Sequence, residues 1–198
     1  MKTLICRASE LKPLPADQDP CYWQISDAFK FYNKTLKPLV AQNGLQPATG
    51  IHGLETHTAA VVFRGIDYAL NMNCDPTPVI FACAFHDMAR TNDGPDKEHG
   101  KHAIPAAIRI MKQFTGLLNQ DTRLAILYAI LNHTTGMHAP DYISACTWDA
   151  DRTRLAWRNG FDEKFFSTVR GKYVAQHWKR YLDYQKLNFP AFNWVKQY

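Results

Sequence analysis

Residues 77–90 read TPVIFACAFHDMAR. From Val79 to Phe85 every residue is apolar, and the run then meets His86 and Asp87. Periodicity alone does not separate a buried helix from a buried strand over so short a run. The alanines decide for a central buried helix reaching Arg90, with Thr77 placed to cap it and Pro78 in its first turn. A carboxylate at the end of such a helix is costly to bury without compensation. A divalent cation would compensate it. Imidazole nitrogen with carboxylate oxygen suits Mn, Fe, Ni, Co or Zn better than Ca.

Working outward, the neighbouring segments also read as helices. Upstream, THTAAVVFRGIDYALNM (56–72) forms one that ends before NCDPTP, and PATGIHG (47–53) is a break. Further back, Ser26 or Asp27 is placed to cap a helix through FKFYNKTLKPLVAQN, kinked or split at Pro38. Pro13, Pro15 and Pro20 make the first twenty residues an irregular lead-in. Downstream, the loop TNDGPD (91–96) precedes a helical stretch over 97–115 that Pro105 restarts or kinks. Asn119 or Asp121 caps a buried helix, RLAILYAILNH, and DYISACTWDADRTRL follows the break TTGMHAP. A turn at Asn159-Gly160 leads into a last helical region through Tyr184. Nothing shows the alternation of strands. The expectation is an all-α bundle: an N-terminal arm and helix over 1–49, a metal-binding domain over 50–170, and an extension over 171–198.

Of the 198 residues, 46% are hydrophobic and 21% charged, as in ordinary globular chains. No apolar run approaches the roughly 18 residues that span a bilayer, so no membrane partner is expected. The apolar patch before Arg7 is too short for a signal-peptide core. Five cysteines, an odd number with no CxxC pair, fit a reducing cytoplasm better than a disulfide framework. The net charge of +5 is uneven: from Arg152 onward ten Lys/Arg face three Asp/Glu. That region reads as a solvated face, and without a like-charge run or RNA-binding motif nucleic acid is not the expected partner.

A metal at His86 and Asp87 needs further ligands. His57 lies near the start of the preceding helix. Asp149 and Asp151 flank Ala150 and so point in different directions, which leaves one of them for the ion. His133 ends a helix much as His86 does, and either approaches the metal or substrate or caps its own helix. His52 either supports the ligands from behind or is a simple loop histidine, and the loop reading is preferred.

Taken in order, HTAAV from His57, FHD with His86 and Asp87, and DADR with Asp151 resemble the H…HD…D signature of the HD-domain superfamily. The likeness covers about residues 50–170 and is strongest to small bacterial HD proteins with HGxxxHxxxV, HD, EHG and DADR segments. It implies a helical bundle in which His57, His86, Asp87 and Asp151 hold a divalent transition metal, with Asp149 the alternate. Most members are phosphohydrolases, so it also implies a small phosphorylated metabolite or nucleotide as substrate.

Arg90 gains most from position as a phosphate-facing cation, followed by Arg152, with Lys97 and Lys101 nearby. Asp93, Asp96, Glu98 and His99 are candidates for proton transfer. Alarmone- and deoxynucleotide-cleaving relatives place a glutamate where Arg90 stands. HDMAR is superficially similar to the HDIGK of cyclic-dinucleotide phosphodiesterases, whose GYP motif is absent here. HDMARTNDGPDKEHG also resembles effector phosphodiesterases acting on ADP-ribosylated ubiquitin, a likeness that assigns catalysis to His57, Glu98 and His133 without metal. The alternative to an enzyme is a non-catalytic HD module that binds a nucleotide or a protein. The aromatic end, YLDYQKLNFPAFNWVKQY, is expected to pack on its own domain, with a cover over the site or a homodimer contact as alternatives.

Overall fold

Ile25, Phe29, Tyr32, Leu36 and Val40 recur at helical spacing, and all are buried to 1% or less. They lie on α1 (Tyr22–Phe31), on a π-helical turn (Tyr32–Leu36) and on α2 (Lys37–Asn43). The wide turn accommodates Pro38, whose ring would clash with the carbonyl four residues back in a regular helix. Ser26 and Asp27 therefore sit inside a helix rather than capping one, because the apolar stripe continues through them. Residues 22–188 are described by this computed structural model, with side chains for all but 22–23, 154–159 and 184–188. The proline-rich lead-in and residues 189–198 of the aromatic end lie outside the described residues.

A second π-turn, Leu54–Thr58, leads into α3 (Ala59–Asn71), which is buried from Ala59 to Ala69. The helix α4 (Thr77–Phe85) follows, buried from Pro78 to Phe85. Helix α4 is central: it packs on α3, on α6 (Gln120–Asn132) and on α7 (Tyr142–Asn159). Thr77 does not cap it. Asp75 Oδ1 accepts the Thr77 N–H at 2.8 Å, and Pro78 stands in the first turn as expected. Nor does α4 reach Arg90. After Phe85 the chain tightens into i→i−3 bonds, Met88 N–H to Phe85 O and Arg90 N–H to Asp87 O. That tightening turns His86 and Asp87 together toward the centre of the bundle.

Helix α5 (His99–Met111) runs through Pro105, which faces solvent where its missing N–H costs least. Asn119 caps α6 by accepting the Thr122 N–H. The expected burial of α6 holds on one face only: Ile126, Ala129 and Ile130 are inside, whereas Leu124, Tyr128 and Leu131 are exposed. Helix α7 is capped by Asp141 and packs along α3. Beyond it, α8 (Val169–Gln176) and α9 (Trp178–Asn188) close the described chain. The described residues are all helical or loop, with no strand.

The basic C-terminal region is not wholly a solvated face. Arg170 is buried and grips Asp67 of α3 with two bonds of 3.0 and 3.2 Å, and Tyr181 donates to the same carboxylate at 3.0 Å. Breaking such a pair strands a buried charge, so it fixes α8 and α9 on the bundle.

Candidate metal centre

The site assembles where α3, α4, α5, α6 and α7 converge. The turn after α4 presents His86 and Asp87, the π-turn before α3 presents His57, and α7 presents Asp151. His57 Nε2 lies 3.2 Å from His86 Nε2 and 3.1 Å from Asp151 Oδ1. Asp87 Oδ2 lies 3.5 Å from His57 Nε2 and 3.4 Å from His86 Nε2. Donor atoms about 2.1 Å from a shared ion stand about 3.0 to 3.4 Å apart, so this set fits one. The donors are buried, apart from Asp151, whose side chain is 19% exposed.

The other oxygen of Asp87 faces a second set. Oδ1 lies 2.9 Å from His99 Nε2 and 3.8 Å from His133 Nε2, and the two imidazole nitrogens are 2.7 Å apart. Groups that could hold a metal ion are thus His57, His86 and Asp151 on one side and Asp87, His99 and His133 on the other, with His52, His57 and Asp87 at the mouth. Gly100 permits the second set. A Cβ there would stand 2.5 Å from Ile130 O and 3.2 Å from the His133 ring. Only glycine lets the start of α5 come this close to the end of α6.

The tautomers follow from the backbone. His86 Nδ1 meets Cys83 O at 2.8 Å, His133 Nδ1 meets Ile130 O at 2.7 Å, and His99 Nδ1 meets Asp96 O. A carbonyl only accepts, so each Nδ1 carries the proton and each neutral ring turns its Nε2 lone pair inward. The His99 and His133 lone pairs, facing each other at 2.7 Å, repel unless a cation or proton lies between them. Donation of the outer N–H to a backbone carbonyl is the arrangement of metal-bound histidines. The donor set therefore could hold a metal ion.

The charges agree. Burial opposes ionisation of Asp87, but the charge on His86 and the imidazoles of His52, His86 and His99 around the carboxyl outweigh it and hold it well below its usual range. Asp151 is likewise held low, with His57 and His86 overcoming burial. Burial also opposes charge on His86, yet Asp87 and Asp151 raise it to about 9. Burial, with His86 adding, pushes His133 down to about 4. Burial lowers His57 as well.

A cavity of about 430 Å³ opens onto both sets through His57, Asp87, His99, His133 and Asp151, with Ile51, His52, Arg90, Asp93, Thr134 and Arg152 around them; His86 lies buried behind. Arg90 donates Nε to Asp87 Oδ1 at 3.1 Å and Nη1 to Gly94 O at 3.0 Å. Arg152 donates from Nη1 to Phe165 O and from Nη2 to the carbonyls of His133 and Gly136, so it anchors loops while lining the cavity.

Glu98 does not reach the cavity. It is exposed, pairs with Lys101 at 3.3 Å, and leaves the inward direction to His99. Lys97 and Lys101 are exposed, and Asp96 is turned to the Glu98 N–H. Asp149 is buried apart from the histidines, where it accepts the N–H groups of Ser167 and Thr168. Asp151, not Asp149, joins the cluster. Sequence reasoning missed His99 as a companion of His133, and the glycine after it was the available signal. For His52 the less favoured of the two sequence readings fits the structure, since its Nδ1 lies 3.1 Å from Asp87 Oδ2.

No family model matches this chain, and neither does any curated protein or solved structure. Among the described residues, no helix is long and apolar enough to cross a membrane.

Proposed function

We propose that the chain is a metal-dependent phosphohydrolase of the HD type, with two divalent transition ions sharing Asp87. The supporting observation is that His86, His99 and His133 each tie Nδ1 to a carbonyl three residues back and turn their lone pairs on one carboxylate. His57, His86, Asp87 and Asp151 would hold one ion, and Asp87, His99 and His133 the other. Ions bound there supply Lewis acidity toward a phosphoryl oxygen and lower the pKa of water.

The chain's own groups prepare the rest. The two carboxylates stay ionised, which keeps the donors ready for cations and disfavours anions until cations are bound. Arg90 fixes Asp87 through Nε and lines the cavity, where its guanidinium charge would meet a phosphate oxygen. The Thr134 hydroxyl on the same wall offers a second donor. A cavity of about 430 Å³ suits a small phosphorylated metabolite or a single nucleotide.

The test is metal content and phosphate release for the parent and Asp87→Ala, using Mn, Ni or Co and a panel of phosphomonoesters and diesters. The parent binds metal and releases phosphate, and the variant does neither. Metal without turnover on any ester would replace the enzyme by an HD module that only binds.

A further inference from the structure

Two loops meet over the mouth of the cavity. Asp93 accepts the His52 N–H on Oδ1 at 2.9 Å and the Ile51 N–H on Oδ2 at 3.2 Å. The two bonds fall on neighbouring amides, so one carboxylate fixes the direction of the chain there. They also hold the Asp93 carboxyl below its usual range. Gly50 makes the approach feasible: its φ is 109°, and a Cβ would stand 3.0 Å from Asp93 Oδ2.

The held segment carries His52, whose ring Nδ1 lies 3.1 Å from Asp87 Oδ2. From behind, Gln46 Nε2 donates to His52 O and to Thr58 Oγ1, tying the segment to the π-turn that presents His57. On the other side, Arg90 bonds both Asp87 and Gly94 and so carries Asp93 back to the site. The contacts form a closed ring: Asp87, Arg90, the 93–94 turn, residues 51–52, and Asp87 again.

We infer that Asp93 is a positioning residue: by holding the Ile51 and His52 amides it sets the His52 imidazole over Asp87 at the cavity mouth and so controls exchange with the centre. This rests on the metal-centre reading above. The Asp93 carboxylate meets His52 only at its backbone amide, not at its imidazole. Its effect on the site must pass through His52, and that dependence is measurable.

The experiment is a double-mutant cycle on the full chain, read as the rate at which a chelator extracts bound Mn or Co. Asp93→Ala should speed extraction about tenfold, and Asp93→Asn, which keeps one acceptor oxygen, should fall between it and the parent. His52→Ala should speed extraction similarly, and adding Asp93→Ala to it should change little. Melting temperature controls for a structural effect and should move little, since Asp93 is exposed. An extraction rate unchanged in Asp93→Ala overturns the inference, as does a double variant in which the two effects multiply.

Phosphate release is measured separately, so a parent that holds metal without turnover removes the hydrolase and leaves this cycle readable. If the parent takes up no metal, the metal-centre reading falls and hydrogen exchange decides the clasp. Faster exchange at the Ile51 and His52 amides in Asp93→Ala then supports it, and unchanged exchange overturns it.

Discussion

Replacing His99 with alanine separates two ions from one. The side chain supplies Nε2 at 2.9 Å from Asp87 Oδ1 and at 2.7 Å from His133 Nε2, and it belongs only to the second donor set. Four-ligand structural zinc sites gain about 10 to 16 kcal/mol, or roughly 3 kcal/mol per ligand. Losing one of three donors should therefore weaken the second ion about a hundredfold and leave the first set, His57, His86, Asp87 and Asp151, intact. At matched free metal that is roughly 3 kcal/mol less metal-induced stabilisation. The metal-free variant should melt close to the parent, because truncation costs packing but relieves the lone-pair contact with His133. The assays are metal content by mass spectrometry after dialysis and calorimetric titration: two ions in the parent, one tight ion in His99→Ala. A variant that keeps two tight ions, or a parent that takes only one, refutes the shared-carboxylate reasoning.

Asp149→Asn should destabilise the fold by about 1 to 3 kcal/mol, because it weakens the acceptor for the Ser167 and Thr168 amides, while metal stoichiometry stays that of the parent; Asp151→Asn should do the opposite. Comparing melting with metal content for the two variants checks both halves. Arg90→Gln should lower metal affinity about tenfold or more by releasing Asp87, as loss of outer-shell partners does elsewhere, and titration calorimetry reads it. In the metal-free protein, His86 and His133 pull stability in opposite directions. His86, raised to about 9, stabilises fully below pH 6.5, and that contribution is lost as pH climbs toward 9. His133, lowered to about 4, stays neutral when folded, so stability falls as pH drops from 6.5 toward 4. Each is worth roughly 3 kcal/mol, and the melting temperature should peak between the two limbs. A melting temperature that climbs steadily from pH 6.5 to 9 would count against the charge assignments.

The run Val79–Phe85 determined by itself that a buried element ends on His86 and Asp87, because apolar character and helix start signals are local. The all-α class was legible for the same reason: each stretch carried its own periodicity, breaks and caps. Helix ends were less legible. The stop of α4 after Phe85 and the interior placement of Ser26 and Asp27 depend on packing that no local signal reports. The candidate ligands His57, His86, Asp87 and Asp151 could be named from order and residue type. Only the tertiary structure chose between Asp149 and Asp151, since one turn of α7 points them at different partners. Only the tertiary structure brought His99 against His133, through the missing Cβ of Gly100 at the crossing of α5 and α6. It alone drew His52 onto Asp87 and turned Glu98 away, because those outcomes depend on contacts between loops far apart in the chain. Residue type sets what a side chain can bind, and packing sets what it can reach.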